Sequence, residues 1–229
     1  MRKAVVLLSG GIDSATALAI ARREGYESYC CSVDYGQRNR AELAAAKRVA
    51  EVLGAARHEV LRVDLRRFGG SALTGSGEIP KREDPEERGS RIPPTYVPAR
   101  NTVFLSLAVA WAEALDADAV FVGVNAVDHA GYPDCTPSFI EAFQQVVAVG
   151  TKAGARDGRV IRIRAPLINM TKAQILQTGL KLGVDYGLTL SCYDPSADGT
   201  PCGHCDSCLI RRGAFRELGV TDPSENATA

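Results

Sequence analysis

The sequence predicts an α/β protein in which a parallel five-stranded sheet carries helices on both faces and a small zinc-binding segment closes the chain. Three observations lead there. Ala4 to Leu8 are apolar without alternation, as in a parallel strand covered on both sides, and run straight into Ser9-Gly10-Gly11. Strand-like and helix-like segments then alternate, the pattern of a parallel sheet with crossover helices. Four of the seven cysteines stand close together at 192, 202, 205 and 208.

After the first strand, Asp13 to Arg23 predicts a helix with Ala17, Leu18 and Ala21 on its apolar face and Gly25 closing it. Tyr29 to Tyr35 predicts the second strand, the alanine-rich Arg40 to Leu53 a helix ended by Gly54, and His58 to Val63 the third strand. Residues 69–99 break the rhythm with glycines, prolines and a charged run; they predict a lid-like insertion, a solvated loop being the plainer alternative. Thr102 to Leu115 resumes as helix, Ala119 to Val124 is the fourth strand and Ser138 to Val147 a helix. Arg159 to Arg164 is the fifth strand, and Lys172 to Leu182 a helix capped by Thr171. Residues 1–186 then form the α/β domain and 187–229 the zinc-binding segment, with a frayed tail over Thr221 to Ala229.

At 229 residues and 45% hydrophobic, the chain can bury a full α/β core, and no apolar run is long enough to span a bilayer. Its apolar start meets the glycine turn without the small-residue cleavage site of a signal peptide, which predicts a cytoplasmic protein with no membrane partner. Lys plus Arg and Asp plus Glu number 27 each, so no overall basic field exists to capture nucleic acid. Seven cysteines in a reducing compartment argue against a disulfide framework. Cys192, Cys202, Cys205 and Cys208 are instead candidate metal ligands: four thiolates suit a structural zinc, and an iron–sulfur cluster takes the same C-x-x-C-x-x-C spacing. Cys30 and Cys31 read as core residues, whereas Cys135, in a loop, would as a nucleophile make the chain a thiol-transfer enzyme.

The glycine turn carries the chemistry. Gly10 and Gly11 let the backbone turn sharply and bring its N–H groups close to an anion, and the helix that follows offers unpaired N–H groups and a positive dipole end. Polyphosphate is the expected ligand. No lysine follows the glycines as in a Walker loop, and the G-x-G-x-x-G of dinucleotide sites is absent.

Ser9-Gly10-Gly11-Ile12-Asp13-Ser14 matches the PP-loop signature of the ATP pyrophosphatases, a superfamily with a Rossmann-like fold. That resemblance implies cleavage of ATP between its α and β phosphates and transfer of AMP to an acceptor. Further blocks are Asp34-Tyr35-Gly36-Gln37-Arg38, Val97-Pro98-Ala99-Arg100-Asn101, Gly131-Tyr132-Pro133-Asp134-Cys135 and the terminal cysteine motif. With these in order, the chain resembles the QueC family from Ala4 to about Leu218. The family implies an ATP-dependent ligase that converts 7-carboxy-7-deazaguanine and ammonia into the nitrile preQ0 of queuosine biosynthesis, by adenylating the carboxylate and passing through an amide.

The same resemblance implies the site residues. ATP would lie along Leu8, Ser9, Gly10, Gly11, Ile12, Asp13, Ser14, Ala15, Thr16, Ala17 and Leu18, with Val33, Asp34 and Tyr35 beside the adenine and Mg²⁺ near Asp13. Asp13, Ser14 and Arg100 would carry catalysis; Arg100, Asn101, Asp128, Tyr132 and Asp134 would hold the acid. A homodimer is the expected assembly. Ala15, Ala99, Ala130 and Thr136 stand where the family commonly has Thr, Gly, Ser and Arg. The rival readings are a PP-loop tRNA-modifying adenylase or thiolase, which needs a basic surface or RNA-binding extension, and a zinc scaffold that only senses ATP.

Overall fold

Strands β1 (Arg2–Leu7), β2 (Tyr26–Asp34), β3 (Arg57–Arg62), β4 (Ala119–Phe121) and β5 (Arg162–Arg164) form one sheet in the order β3-β2-β1-β4-β5, every neighbouring pair parallel. This computed structural model describes residues 1–81, 92–129 and 131–224, and of Asp128 and His129 the backbone alone. The helices are α1 (Ile12–Arg23), α2 (Ala41–Val52), α3 (Arg100–Ala114), the short α4 (Ala126–His129), α5 (Pro137–Gly150), the short α6 (Lys152–Ala155), α7 (Lys172–Lys181) and α8 (Asp206–Leu218). No helix among the described residues is long and apolar enough to cross a membrane.

The unbroken apolar run of β1 has the cause the sequence suggests. Ala4, Val6 and Leu8 face a core with Leu18 of α1, Val49 of α2, Leu176 of α7 and Phe215 of α8. Val5 and Leu7 face the opposite core with Leu105 and Ala112 of α3 and Phe143 and Val147 of α5. Burying each of these larger side chains contributes roughly 1.5–3 kcal/mol, so a charge placed anywhere from Ala4 to Leu7 would cost one face of the sheet. Thr171 caps α7 as expected: its hydroxyl accepts from Gln174 N–H while the Gln174 side chain accepts from Thr171 N–H.

Where the elements differ from the sequence reading, tertiary packing decides. β4 stops at Phe121 rather than Val124: Val122 N–H still donates to the Arg164 carbonyl of β5 at 2.9 Å, but the chain then packs against the start of α1, where a Cβ on Gly123 would stand 3.0 Å from the backbone of Asp13 and Ser14. The segment around the cysteines contains a helix the spacing argument did not foresee, α8, which starts at Asp206 and sends Leu209, Ala214 and Phe215 inward. The tail is tied down at Asp222, contrary to the frayed end expected from Thr221: buried Arg211 donates to both Asp222 carboxylate oxygens at 2.6 and 2.8 Å. Residues 225–229 of that tail lie outside the described residues.

Of the insertion at 69–99, residues 82–91 lie outside the description. Its flanks are anchored rather than solvated. Ala72, Leu73, Ile79 and Val97 are buried in the core on the α3 side, and Lys81 pairs with Cys205 in an isolated bridge.

Candidate active site

β1 continues to β2 on one side of the sheet and neighbours β4 on the other, so a crevice opens at the carboxyl ends of β1 and β4. Parallel sheets bind ligands there. The crevice is a cavity of 260 Å³ walled by the β1–α1 loop, the ends of β2 and β4, the start of α3, Tyr132, Lys172 and the segment Leu190–Tyr193.

The β1–α1 loop is built by its own residues. Gly10 has φ +87, and a Cβ on it would lie 2.4 Å from the Glu42 carbonyl oxygen and 2.7 Å from the Ala46 nitrogen, so only glycine lets α2 come this close. The Ser14 hydroxyl accepts from Ser9 N–H at 3.1 Å and donates to the Gly11 carbonyl, closing the loop on itself. Gly11, the residue before α1, offers no side-chain cap. The first N–H groups of α1 therefore face the cavity with the positive end of the helix, an anion site.

Asp13 sits in that first turn. One carboxylate oxygen accepts from Lys172 at 2.5 Å and from Asn125 at 3.3 Å; the other is buried with no hydrogen-bond partner among the described residues. An unpaired buried carboxylate oxygen beside a phosphate cradle fits a divalent cation. Lys172 and Asn125 are site residues the sequence reading missed. Lys172 opens α7, and the capping box at Thr171 that places it was the available signal.

Arg100 is the first residue of α3 and projects into the cavity, where it donates to the Tyr35 hydroxyl at 3.3 Å and lies 5.7 Å from the centre of that ring. Burial opposes its charge, but the neighbouring tyrosine hydroxyls prevail and hold it a cation. Ala99, just before it, has φ +53, the left-handed conformation that glycine adopts most readily. Burial pushes the Tyr35 hydroxyl up to about 12, so it stays neutral. Glu42, also missed, lines the same cavity and accepts from Gln37 at 2.9 Å; burial pushes its carboxyl up to about 7.

Leu8, Ser9, Gly11, Ile12, Asp13, Ser14, Val33, Tyr35, Arg100, Asn101 and Tyr132 all line this cavity. Ala15, Ala17 and Leu18 turn into the core behind the loop instead, and Thr16 is engaged with Tyr186 at 2.7 Å. Asp34 accepts from Gly36 N–H outside the cavity. Asp134 accepts from the Asn101 N–H at 2.8 Å and so caps α3, while Asn101 donates to the Asp134 carbonyl and to the Cys135 sulfur. The Tyr132 hydroxyl bonds Thr95 at 3.0 Å, which fixes its ring against the cavity. The Asp128 side chain and Ala130 lie outside the described residues, and the Thr136 hydroxyl caps α5 through Phe139 N–H.

The ligating sulfur atoms of Cys192, Cys202, Cys205 and Cys208 all lie within 4.8 Å of one another. Cys205 stands 4.0 Å from Cys192 and 3.5 Å from Cys208, close to the roughly 3.8 Å edges of a tetrahedron with Zn–S bonds of about 2.3 Å. Backbone N–H groups of Asp194 and Cys202 donate to the Cys192 sulfur, as they would to a thiolate. The four-cysteine cluster is compatible with zinc. It also borders the cavity, because Leu190 N–H donates to the Gly10 carbonyl at 2.9 Å, two residues from ligand Cys192.

A parallel sheet with an uncapped glycine turn at its switch point and a four-cysteine cluster beside the cavity places the chain among α/β proteins built to hold a phosphate-bearing ligand. Residues 3–219 match the profile of the family described as queuosine biosynthesis protein QueC, and the chain belongs to that family. It is 58% identical over 223 residues to the 7-cyano-7-deazaguanine synthase of Desulfatibacillum aliphaticivorans, covering 97% of this chain and 96% of the relative. It is 55% identical over 227 residues to that of Syntrophus aciditrophicus (strain SB), covering 99% and 98%. It is 57% identical over 223 residues to that of Pseudomonas fluorescens (strain Pf0-1), covering 97% and 95%. The activity is accordingly that of an ATP-dependent ligase of queuosine biosynthesis.

Proposed function

We propose that the cavity holds ATP and 7-carboxy-7-deazaguanine together, transfers AMP to the carboxylate, and uses the same site twice to reach the nitrile. The observation that carries this reading is the opposition of an uncapped α1 N-terminus, an anion site without a Walker lysine, to Arg100 across one cavity. A carboxylate is a poor electrophile, and joining it to phosphorus turns its oxygen into a leaving group. The α1 N–H groups and Lys172 grip the departing pyrophosphate; Arg100 balances charge that grows on the α phosphate as the bond breaks. Tyr132 offers a face for the heterocycle, and Val33 and Tyr35 an apolar wall for adenine. Asp13, through its unpaired oxygen, would hold Mg²⁺, which would neutralise charge on the phosphates. The four cysteines would hold zinc as a structural ion, since four protein ligands leave it no open position.

The amide formed in the first round still carries an oxygen that must leave before a nitrile can form. A second adenylation removes it as AMP. Incubating the protein with ATP, Mg²⁺, ammonium and the acid labelled with heavy oxygen tests the scheme: amide should precede nitrile, and label should appear in AMP. Release of ADP and phosphate with no AMP would exclude it.

A further inference from the structure

Forming a carbon–nitrogen bond from ammonium requires a base, because ammonium, the dominant species at neutral pH, has no lone pair. Among the described residues two acidic side chains line the cavity, Asp13 and Glu42. Asp13 is committed to Lys172 and Asn125. Glu42, in the first turn of α2, has no ion pair among the described residues, and its carbonyl packs against Gly10 of the phosphate loop.

Its orientation is fixed from behind. One carboxylate oxygen accepts from Gln37 Nε2 at 2.9 Å, and the carbonyl oxygen of that buried amide accepts from Tyr35 N–H at 2.8 Å, so the Gln37 NH₂ group must point at Glu42. The charged or titratable groups facing Glu42 are Arg100 from α3 and the neutral Tyr35 hydroxyl beyond β2. We infer that Glu42 binds ammonium in the cavity and takes one proton from it beside the adenylated carboxylate. Burial supports the role, since it brings the carboxyl to about 7, where a base both holds and releases a proton readily; the Arg100 charge and the Gln37 hydrogen bond keep it from rising further.

The inference rests on the adenylation reading above. In the step itself ammonium gives a proton to the Glu42 carboxylate, and the lone pair of ammonia forms the C–N bond at the acyl carbon. The C–O bond to AMP breaks, its electron pair leaving on AMP. The surplus proton on nitrogen passes to water, and Glu42 returns its own to water before the next turn.

The test separates adenylation from amination. Glu42→Gln should retain acid-dependent exchange of labelled pyrophosphate into ATP while its kcat/KM for ammonium falls on the order of a hundredfold or more. Hydroxylamine, uncharged at neutral pH, needs no base and should restore product formation as the hydroxamate. In the unsubstituted protein kcat/KM for ammonium should rise with pH through an inflection near 7, as the carboxyl loses its proton; the variant should lack that inflection. Equal losses with ammonium and hydroxylamine, or a raised KM for the deazaguanine acid with ammonium unaffected, would overturn the inference. Exchange absent from the unsubstituted protein would instead overturn the adenylation reading. If Glu42→Gln unfolds below the assay temperature, Glu42→Ala, which also lacks the carboxylate, replaces it under the same criteria.

Discussion

The two walls of the cavity are made in opposite ways. On one side, residues 8 to 14 specify their own shape: Gly10 turns the chain, Ser14 ties the turn, and the helix that follows supplies the anion site. Opposite, Ala99 to Asn101, Tyr132 to Cys135 and Leu190 to Tyr193 come from three distant segments and are held by contacts with one another and with other parts of the chain, such as Asp134 to Asn101 and Asn39 to the Cys192 carbonyl. A wall built locally should lose chemistry when altered and keep its fold. A wall assembled from afar should lose shape first.

Asp13→Asn gives the sharpest version of the first half. The amide keeps the size of the side chain, yet it loses the charge that pairs with Lys172 and would bind a cation. Turnover should fall on the order of a hundredfold or more with the melting temperature changed by only a few degrees. A variant with normal turnover at low Mg²⁺ would break the comparison, since the loop would then hold ATP without Asp13.

Cys205→Ser probes the second wall. Cys205 is the most enclosed of the four cysteines, its sulfur 4.0 Å from that of Cys192 and 3.5 Å from that of Cys208, and its loss should release bound zinc and lower the melting temperature by roughly 10 °C. ATP affinity should fall with it, because the strand of chain that carries Cys192 also hydrogen-bonds Gly10 through Leu190. Zinc content by elemental analysis and ATP binding by calorimetry measure the two effects. Full ATP affinity in the zinc-free variant would show that the walls are independent.

What the sequence made legible follows the same division. The phosphate loop could be read because its rules are local, and Thr171 with Gln174 was legible for the same reason. The far wall was legible only as short blocks whose residues resemble a family pattern. The family resemblance assigns Asp134 to the substrate, and in the structure one of its carboxylate oxygens caps α3; a carboxylate near a helix start and a carboxylate near a ligand look alike until the chain is folded. Glu42 and Lys172 escaped because each lies on an ordinary amphipathic helix, where charge reads as solvent exposure. Only the packing of Gly10 against α2, and of Asp13 against the start of α7, turns them inward.

Ala99 offers the smallest test and the most selective. Its φ of +53 is a conformation that L-residues adopt at a cost of roughly 1–2 kcal/mol, and it persists because Tyr96 accepts from Ala99 N–H at 3.1 Å while Asp134 caps the next turn. The strain is local, but the contacts that enforce it belong to the assembled wall. Ala99→Gly removes the clash and adds freedom to the unfolded chain, so the net gain should be about 0.5–1 kcal/mol, or roughly 2–4 °C in melting temperature. Activity should be unchanged, because Arg100 already occupies its place in the cavity. A rise in kcat with no change in stability would mean instead that the left-handed turn holds Arg100 away from its productive position, and the far wall would then be a moving part rather than a fixed one.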